Sequence, residues 1–328
     1  NRLTNLLEGL SADSKASLAE MRKRGAIWTA LADQVDAPAE KVPPAKRPSP
    51  CPPVDMRPKE ISITEVQKLI RDPYAIYARR VLALYPLNPL RQMADAPLRG
   101  NVLHAVVERF IMSGPVKHPS DVDRLLSIAD DVLDKDVAWP AIRKMWRARL
   151  VRVADWFISG EIDRQTHATP FALEQDARLH LPQVDVTLRG KIDRIDRRED
   201  GSLVVYDYKT GSPPTKPQQE HFDKQLRLTA MMLEQGALDE LGAQEVPEIG
   251  YIGLGSSPKF DPITLEIGET AQVLAEFLSL ITAFQDRSRG YTSRRAVDKT
   301  GFDGDYDHLA RFGEWSESDD PDPQEVGP

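Results

Sequence analysis

The run GKIDRIDRREDGSLVVYDYKTG, residues 190–211, constrains the chain most, because two strand-like segments flank the turn signal Glu199-Asp200-Gly201. A side-chain period of two puts Leu203, Val205, Asp207 and Lys209 on one face and Val204, Tyr206 and Tyr208 on the other. An aspartate and a lysine thus follow core residues on the same face. The loop decides whether Asp193 of the preceding strand joins them. In a three-residue loop, a type I turn with Gly201 left-handed, Arg198 pairs with Ser202 and Asp193 falls opposite Asp207. In a two-residue Asp200-Gly201 loop, Asp193 opposes Tyr208 and the carboxylates face apart.

Directly opposed carboxylates repel by a few tenths to about 1 kcal/mol, so the first register asks for a cation between them. Oxygen ligands at that separation suit magnesium or manganese, and the Tyr208 carbonyl adds a third. Lys209 would then orient an attacking water or offset charge on a phosphate. The plain alternative is a solvated Asp207–Lys209 ion pair at a strand end, contributing roughly 0–1 kcal/mol. Against it stand a Gly-x-x-Asp strand, an upstream helix with Arg99, Gly100 and His104, and a downstream helix led by Gln225.

Helical spacing from residue 1 to about Val35 (Leu18, Met21, Ile27, Leu31) predicts a small helical segment over 1–35. The proline density of 36–58 argues against helix and ladder pairing alike and predicts an extended linker. From 59 a capping pattern, Ser62 or Thr64 before Glu65, opens a helical region, restarted at Pro73 and running to about Ser159. Strand alternation begins at Phe171. A helix, the buried strand EIGYIGL, the edge strand DPITLEI and a long amphipathic helix follow, bringing the main domain to 295. The segment 296–328 is an acidic C-terminal tail, and its proline-rich end GEWSESDDPDPQEVGP is expected to be disordered or laid on a partner.

No apolar run approaches the roughly 18 residues of a spanning helix. The single cysteine, Cys51, excludes an intrachain disulfide framework and any site built from several thiolates. A net charge of −8 argues against a wholly nucleic-acid-binding surface, yet Arg143, Lys144, Arg147, Arg149 and Arg152 concentrate on one predicted helix that can lean on phosphates. The phosphate-binding pattern G-x-x-x-x-G-K-[ST] does not occur, so a nucleotide-driven motor is not expected within this chain.

The ordered motifs RGNVLH, GKIDRID, YDYKTG and QLRLTA resemble the nuclease domain of the RecB-like branch of the PD-(D/E)XK superfamily, in particular the C-terminal part of AddB-type subunits of AddAB-type helicase-nucleases. The likeness spans Ile61 to about Gly290. It implies an α/β fold with a central mixed sheet flanked by helices, here with an N-terminal helical extension from an upstream helicase-like region. It further implies that His104, Asp193, Asp207 and the Tyr208 carbonyl hold Mg2+ or Mn2+, that Lys209 is the catalytic lysine, and that Gln225 contacts DNA or water near the site. Arg99, Arg143 and Arg147 are candidate DNA contacts. Thr229 stands where the family often has tyrosine, and Glu174 stands where relatives carry an acidic residue on the first strand, although ALEQDARLH reads as a generic exposed alternation.

Many relatives carry a four-cysteine iron–sulfur cluster. Asp72 occupies the position of one of those cysteines, and with Cys51 alone no such cluster is expected. Packing or salt bridges must then tie the N-terminal helices to the C-terminal end. The implied activity is that of an exonuclease-type, magnesium-dependent deoxyribonuclease. Water placed by Asp207 and Lys209 attacks phosphorus in line and leaves a 5′-phosphate. The implied setting is double-strand break processing in the bacterial cytoplasm, with an AddA-type partner, DNA ends as substrate and a single strand at the nuclease site. The competing reading is an idle domain of the same fold that guides DNA and docks the partner.

Overall fold

In the computed structural model, residues 2–10, 12–40, 42–87, 90–91, 93–221, 223–296 and 304–327 are described. The chain divides into two units, Asn1–Ala45 and Lys46–Pro328. The first consists of helices α1 (Arg2–Leu10) and α2 (Ala12–Asp36). On α2, Leu18 is buried, whereas Ile27, Trp28 and Leu31 are exposed.

The second unit begins with strands β1 (Pro48–Cys51) and β2 (Glu60–Ser62), then helix α3 (Ile63–Arg71). The Ser62 hydroxyl accepts from the Glu65 N–H while the Glu65 carboxylate accepts from the Ser62 N–H, so the expected capping box starts α3. Pro73 opens α4 (Pro73–Ile76). Three longer helices follow: α5 (Ala96–Met112), α6 (Asp121–Asp136) and α7 (Pro140–His167). Val102, Val106 and Phe110 of α5 face the core, where Phe110 meets Phe157 of α7.

Then come β3 (Thr169–Leu181), β4 (Val186–Arg197) and β5 (Leu203–Lys209). Helices α8 (Lys216–His221) and α9 (Gln225–Glu234), strands β6 (Glu248–Gly253) and β7 (Lys259–Thr264), helix α10 (Glu269–Ala283) and strand β8 (Asp322–Glu325) complete the unit. The main sheet has the order β2-β4-β5-β6-β7, with β3 also on β4. It is mixed: β2/β4 and β5/β6 are parallel, and β3/β4, β4/β5 and β6/β7 are antiparallel. One edge of β4 carries β3 along its length. The other is taken by β2 up to Arg189 and by β5 from Arg194 onward, which leaves an open stretch at 190–193.

Two expectations need correction. Part of the proline-rich segment does form a ladder, since β1 pairs in parallel with β8. Prolines lack the N–H, but at 48 and 50 none is needed, because their carbonyls accept from the N–H groups of Ser293 and Tyr291. Alternate residues, 47 and 51, offer their carbonyls to Asp322 and Val326 of the other segment. The acidic C-terminal segment, expected to be disordered or held by a partner, lies on its own domain instead, with Trp315 only 5% exposed. It is fastened by the Arg47 guanidinium, which donates to the carbonyls of Ser293, Arg294, Glu317 and Asp319. Asp72 accepts from the Arg294 N–H, and the Arg294 guanidinium pairs with Asp307 and Glu317. Hydrogen bonds and ion pairs thus join the N-terminal helices to the C-terminal end. No helix among the described residues is long and apolar enough to cross a membrane.

Replacing Arg47 with methionine leaves these buried carbonyls without their donor. The expected loss is roughly 1–3 kcal/mol of stability, read as a lower urea midpoint together with faster proteolysis within 304–327.

Candidate active site

The hairpin loop settles the register. The Arg198 N–H donates to the Ser202 carbonyl (2.9 Å), the Gly201 N–H donates to the Arg198 carbonyl (3.0 Å), and Gly201 has φ +89°. This is the three-residue loop, with Arg197 opposite Leu203 and Arg194 opposite Tyr206. Continued one step, that register sets Asp193 against Asp207. The ladder stops at Arg194, and Asp193 Oδ2 accepts the Tyr208 N–H at 2.9 Å in its place.

Helix α5 brings His104 onto this strand end. Its Nε2 lies 3.2 Å from the Tyr208 carbonyl oxygen, and its Nδ1 lies 3.1 Å from Glu174 Oε1 and 3.6 Å from Asp193 Oδ1. Glu174, read from sequence as part of an exposed alternation, is therefore drawn into the cluster. It stands opposite Asp193 in the β3/β4 register, between the pairs Leu173–Arg194 and Gln175–Ile192, and its φ is +50°. A left-handed residue inside a strand costs on the order of 1 kcal/mol, and it breaks the alternation on which the sequence reading relied. Lys191 holds the other Glu174 oxygen at 2.7 Å.

On the other side, Lys209 Nζ is 2.8 Å from Asp207 Oδ2 and donates to Gln225 Oε1 at 3.3 Å, while Gln225 Nε2 donates to Asp207 Oδ1 at 2.7 Å. Gln225 reaches these groups because it is the first residue of α9. Tyr251 packs its ring 5.7 Å from Lys209 Nζ and donates its hydroxyl to Asp223. Neither Tyr251 nor Asp223 was identified from sequence; both depend on how the α8–α9 connection folds over β6. Thr229 turns its hydroxyl back to the Gln225 carbonyl.

Burial raises the Asp193 pKa to about 7, with the neighbouring Asp207 charge adding to it and His104 opposing it. Burial also raises Asp207, against the pull of Lys209. For His104, burial opposes protonation, but the Glu174 hydrogen bond and the Asp193 charge outweigh it and hold the imidazole above its ordinary value. Lys209 is likewise raised, burial being outweighed by Asp207.

The arrangement fits a hard divalent cation. His104, Glu174 and Asp193 offer ligand atoms within 4.8 Å of one another. Asp207 Oδ2 is buried, and the Lys209 ammonium 2.8 Å away offsets its charge. Carboxylates, a carbonyl and one imidazole are a donor set that magnesium or manganese accepts.

Behind the site, Arg194 is fully buried between Glu161 and Asp196 and donates to the Tyr208 hydroxyl at 3.0 Å. Of the predicted DNA contacts, Arg99 lies on α5 one turn before Leu103 and lines an adjoining cleft. Arg143 and Arg147 do not join the site. They pair with Asp134 and Asp130 of α6, whereas Arg149 and Arg152 of the same helix line the cleft.

A mixed sheet carrying an Asp-x-Lys strand end, a second aspartate across the hairpin and a histidine-bearing helix defines the nuclease class, and comparison with known proteins agrees. The family model of the PD-(D/E)XK nuclease superfamily matches residues 60–298, and the chain belongs to that superfamily. An uncharacterized protein of Rickettsia typhi is 27% identical over 184 residues, covering 54% of this chain and 21% of its own length. One of Rickettsia felis is 25% identical over 224 residues, covering 65% and 26%. The chain thus spans about a fifth to a quarter of the curated relatives it matches. A solved structure named as a candidate exonuclease from Eubacterium rectale aligns over 75% of this chain and 88% of that one, at 8% identity and a TM-score of 0.43.

In metal-free protein the folded state retains a proton on Asp193 that the unfolded chain releases near 3.8. The stability it contributes is fully present below that value and is lost as pH rises through about 7. Urea midpoints in chelator are expected to fall across this window, and Asp193→Asn is expected to flatten the fall.

Proposed function

We propose that this chain is a magnesium- or manganese-dependent deoxyribonuclease of exonuclease type. The observation that supports it most is the meeting of His104, Asp193, Asp207 and the Tyr208 carbonyl beside Lys209 and Gln225, at the one stretch where the edge of β4 is open. In this reading the cation binds His104, Asp193, Asp207 and the Tyr208 carbonyl, with Glu174 as a further ligand or as the group that orients His104. A divalent ion there supplies Lewis-acid stabilisation of charge on the phosphate's non-bridging oxygens. Lys209 orients the attacking water and offsets charge as it builds on phosphorus. Gln225, bonded to both Asp207 and Lys209, fixes their separation and limits their freedom.

We place the activity in recombinational double-strand break repair, as the nuclease portion of an AddB-type subunit that works with an AddA-type helicase-nuclease in the bacterial cytoplasm. The motif order supports this assignment, and so does the length of the relatives, which leaves room for a helicase-like region beside the nuclease domain.

Asp207→Ala and Lys209→Ala are each expected to lower magnesium-dependent DNA cleavage by at least about 10²-fold with circular dichroism unchanged. Cleavage at the wild-type rate in either variant overturns the assignment. Calorimetric titration with manganese separates the two roles: Asp207→Ala is expected to lose the binding heat and Lys209→Ala to keep it.

Protons compete with the cation for the carboxylates, so manganese affinity is expected to rise with pH up to about 7 and then level, following Asp193. The same titration repeated across that range checks the slope, and a flat profile removes Asp193 from the ligand set.

A further inference from the structure

Beside the cluster, a cleft of about 460 Å3 opens between α5, α7 and the loops that follow β5 and β6. Its inner end touches the site from two sides, since Leu103 precedes His104 and Thr210 follows Lys209. One wall is apolar, made by Val102, Leu103, Leu150, Leu254 and Trp146. The rim is cationic. Arg99, Arg149 and Arg152 line it, and among the described residues none of the three has a carboxylate partner, unlike Arg143 and Arg147 on the same α7. Arg99 Nε is buried without a hydrogen-bond partner. Arg149 and Arg152 are three apart on a helix and so lie side by side.

The floor is bare backbone. A Cβ on Gly255 would come within 3.2 Å of the Gly211 backbone, so the two loops meet with no side chain between them. The hydroxyls of Thr210, Ser212 and Ser256 border it. An apolar wall facing guanidinium groups that no carboxylate of the described residues neutralises is the combination that takes a planar ring on one side and its phosphates on the other. A cleft of this volume is on the scale of a small-molecule site, and a base reaches the wall only when it is not hydrogen-bonded to a complementary strand.

Resting on the nuclease reading, we propose that this cleft is an unpaired-nucleotide subsite. It holds the nucleotide next to the scissile phosphate, with the base against the Leu103–Trp146–Leu150 wall and the flanking phosphates on Arg149 and Arg152. The cleft thereby favours single-stranded DNA and sets the register of the strand over Lys209.

Binding is read by fluorescence anisotropy on the whole chain in chelator, so that cleavage plays no part. The probes are a short labelled oligothymidylate, a strand of equal length made wholly of abasic nucleotides, and a blunt duplex. Wild-type protein is expected to bind the oligothymidylate at least about fivefold more tightly than the abasic strand and more tightly than the duplex. The exposed double substitution Arg149→Ala with Arg152→Ala is expected to weaken oligothymidylate binding about tenfold and to reduce the salt slope by about 1.4, two phosphates' worth.

Equal affinity for the abasic strand overturns the base contact. Parallel losses of single-strand and duplex binding in the double variant reduce the arginines to a general cationic surface and also overturn the proposal. The outcome is separable from the nuclease reading. Discrimination against the abasic strand by a protein that cleaves nothing sustains the subsite and sinks the nuclease. Cleavage without discrimination does the reverse.

Discussion

The site depends on one turn. Three residues, with Gly201 at φ +89°, join β4 to β5, and that loop length sets Asp193 against Asp207. One residue fewer would send Asp193 to the other face, because side chains alternate along a strand. The resulting carboxylate pair is an electrostatic fault that the protein contains by other means. Asp193 leans toward its protonated form, Asp207 rests between Lys209 and Gln225, and His104 is drawn toward imidazolium by Glu174 and Asp193. The positive charge that a cation would supply is thus distributed over protons and a lysine. Binding a divalent ion in the proposed role is then an exchange, with protons leaving Asp193 and His104 as the ion arrives.

What keeps the two strands apart yet aligned lies behind them. Along β4 the period of two sends Asp193 to the site and Arg194 to the core, where Arg194 meets Glu161 of α7, Asp196 and the Tyr208 hydroxyl. The Arg194 charge holds Glu161 down to about 2 despite burial. Removing one member of such a network leaves an uncompensated buried charge, which costs about 3–5 kcal/mol. Tyr208 is therefore anchored by its hydroxyl on one face, while its N–H and carbonyl serve Asp193 and His104. A substitution in the core of α7 can disturb the site without touching it.

The sequence carried the strand pair, the capping box of α3, the class of fold and the grouping of His104, Asp193, Asp207, Lys209 and Gln225, because each follows from a short-range period or a motif order. It left the hairpin register open between two loops that differ by one residue. Glu174 was only half legible: the resemblance marked its position as one where relatives carry an acidic residue, but its left-handed backbone departs from the alternation that made it read as an exposed strand residue. Arg143 and Arg147 could not be told from Arg149 and Arg152, because which side of a long helix meets α6 and which borders the cleft is a tertiary matter. The β1–β8 pairing was hidden for a related reason. Proline content predicts lost donors, but not that the neighbouring chain at 291–293 needs only acceptors.

Asp72, which the family resemblance sets where many relatives carry a cluster cysteine, accepts the Arg294 N–H, and Arg294 in turn carries Asp307 and Glu317. A metal cluster fixes its ligands through a few strong bonds, whereas here the same ends are held by many weaker ones spread over Arg47, Arg294, Trp315 and a two-stranded ladder. Such a clasp rests on no metal–thiolate bond, although the free thiol of Cys51 is buried in its ladder, and it is sensitive to salt and acid where its ion pairs are exposed. Part of the acidity of the C-terminal segment thus serves the fold itself, since Asp307 and Glu317 are the carboxylates that hold the buried Arg294.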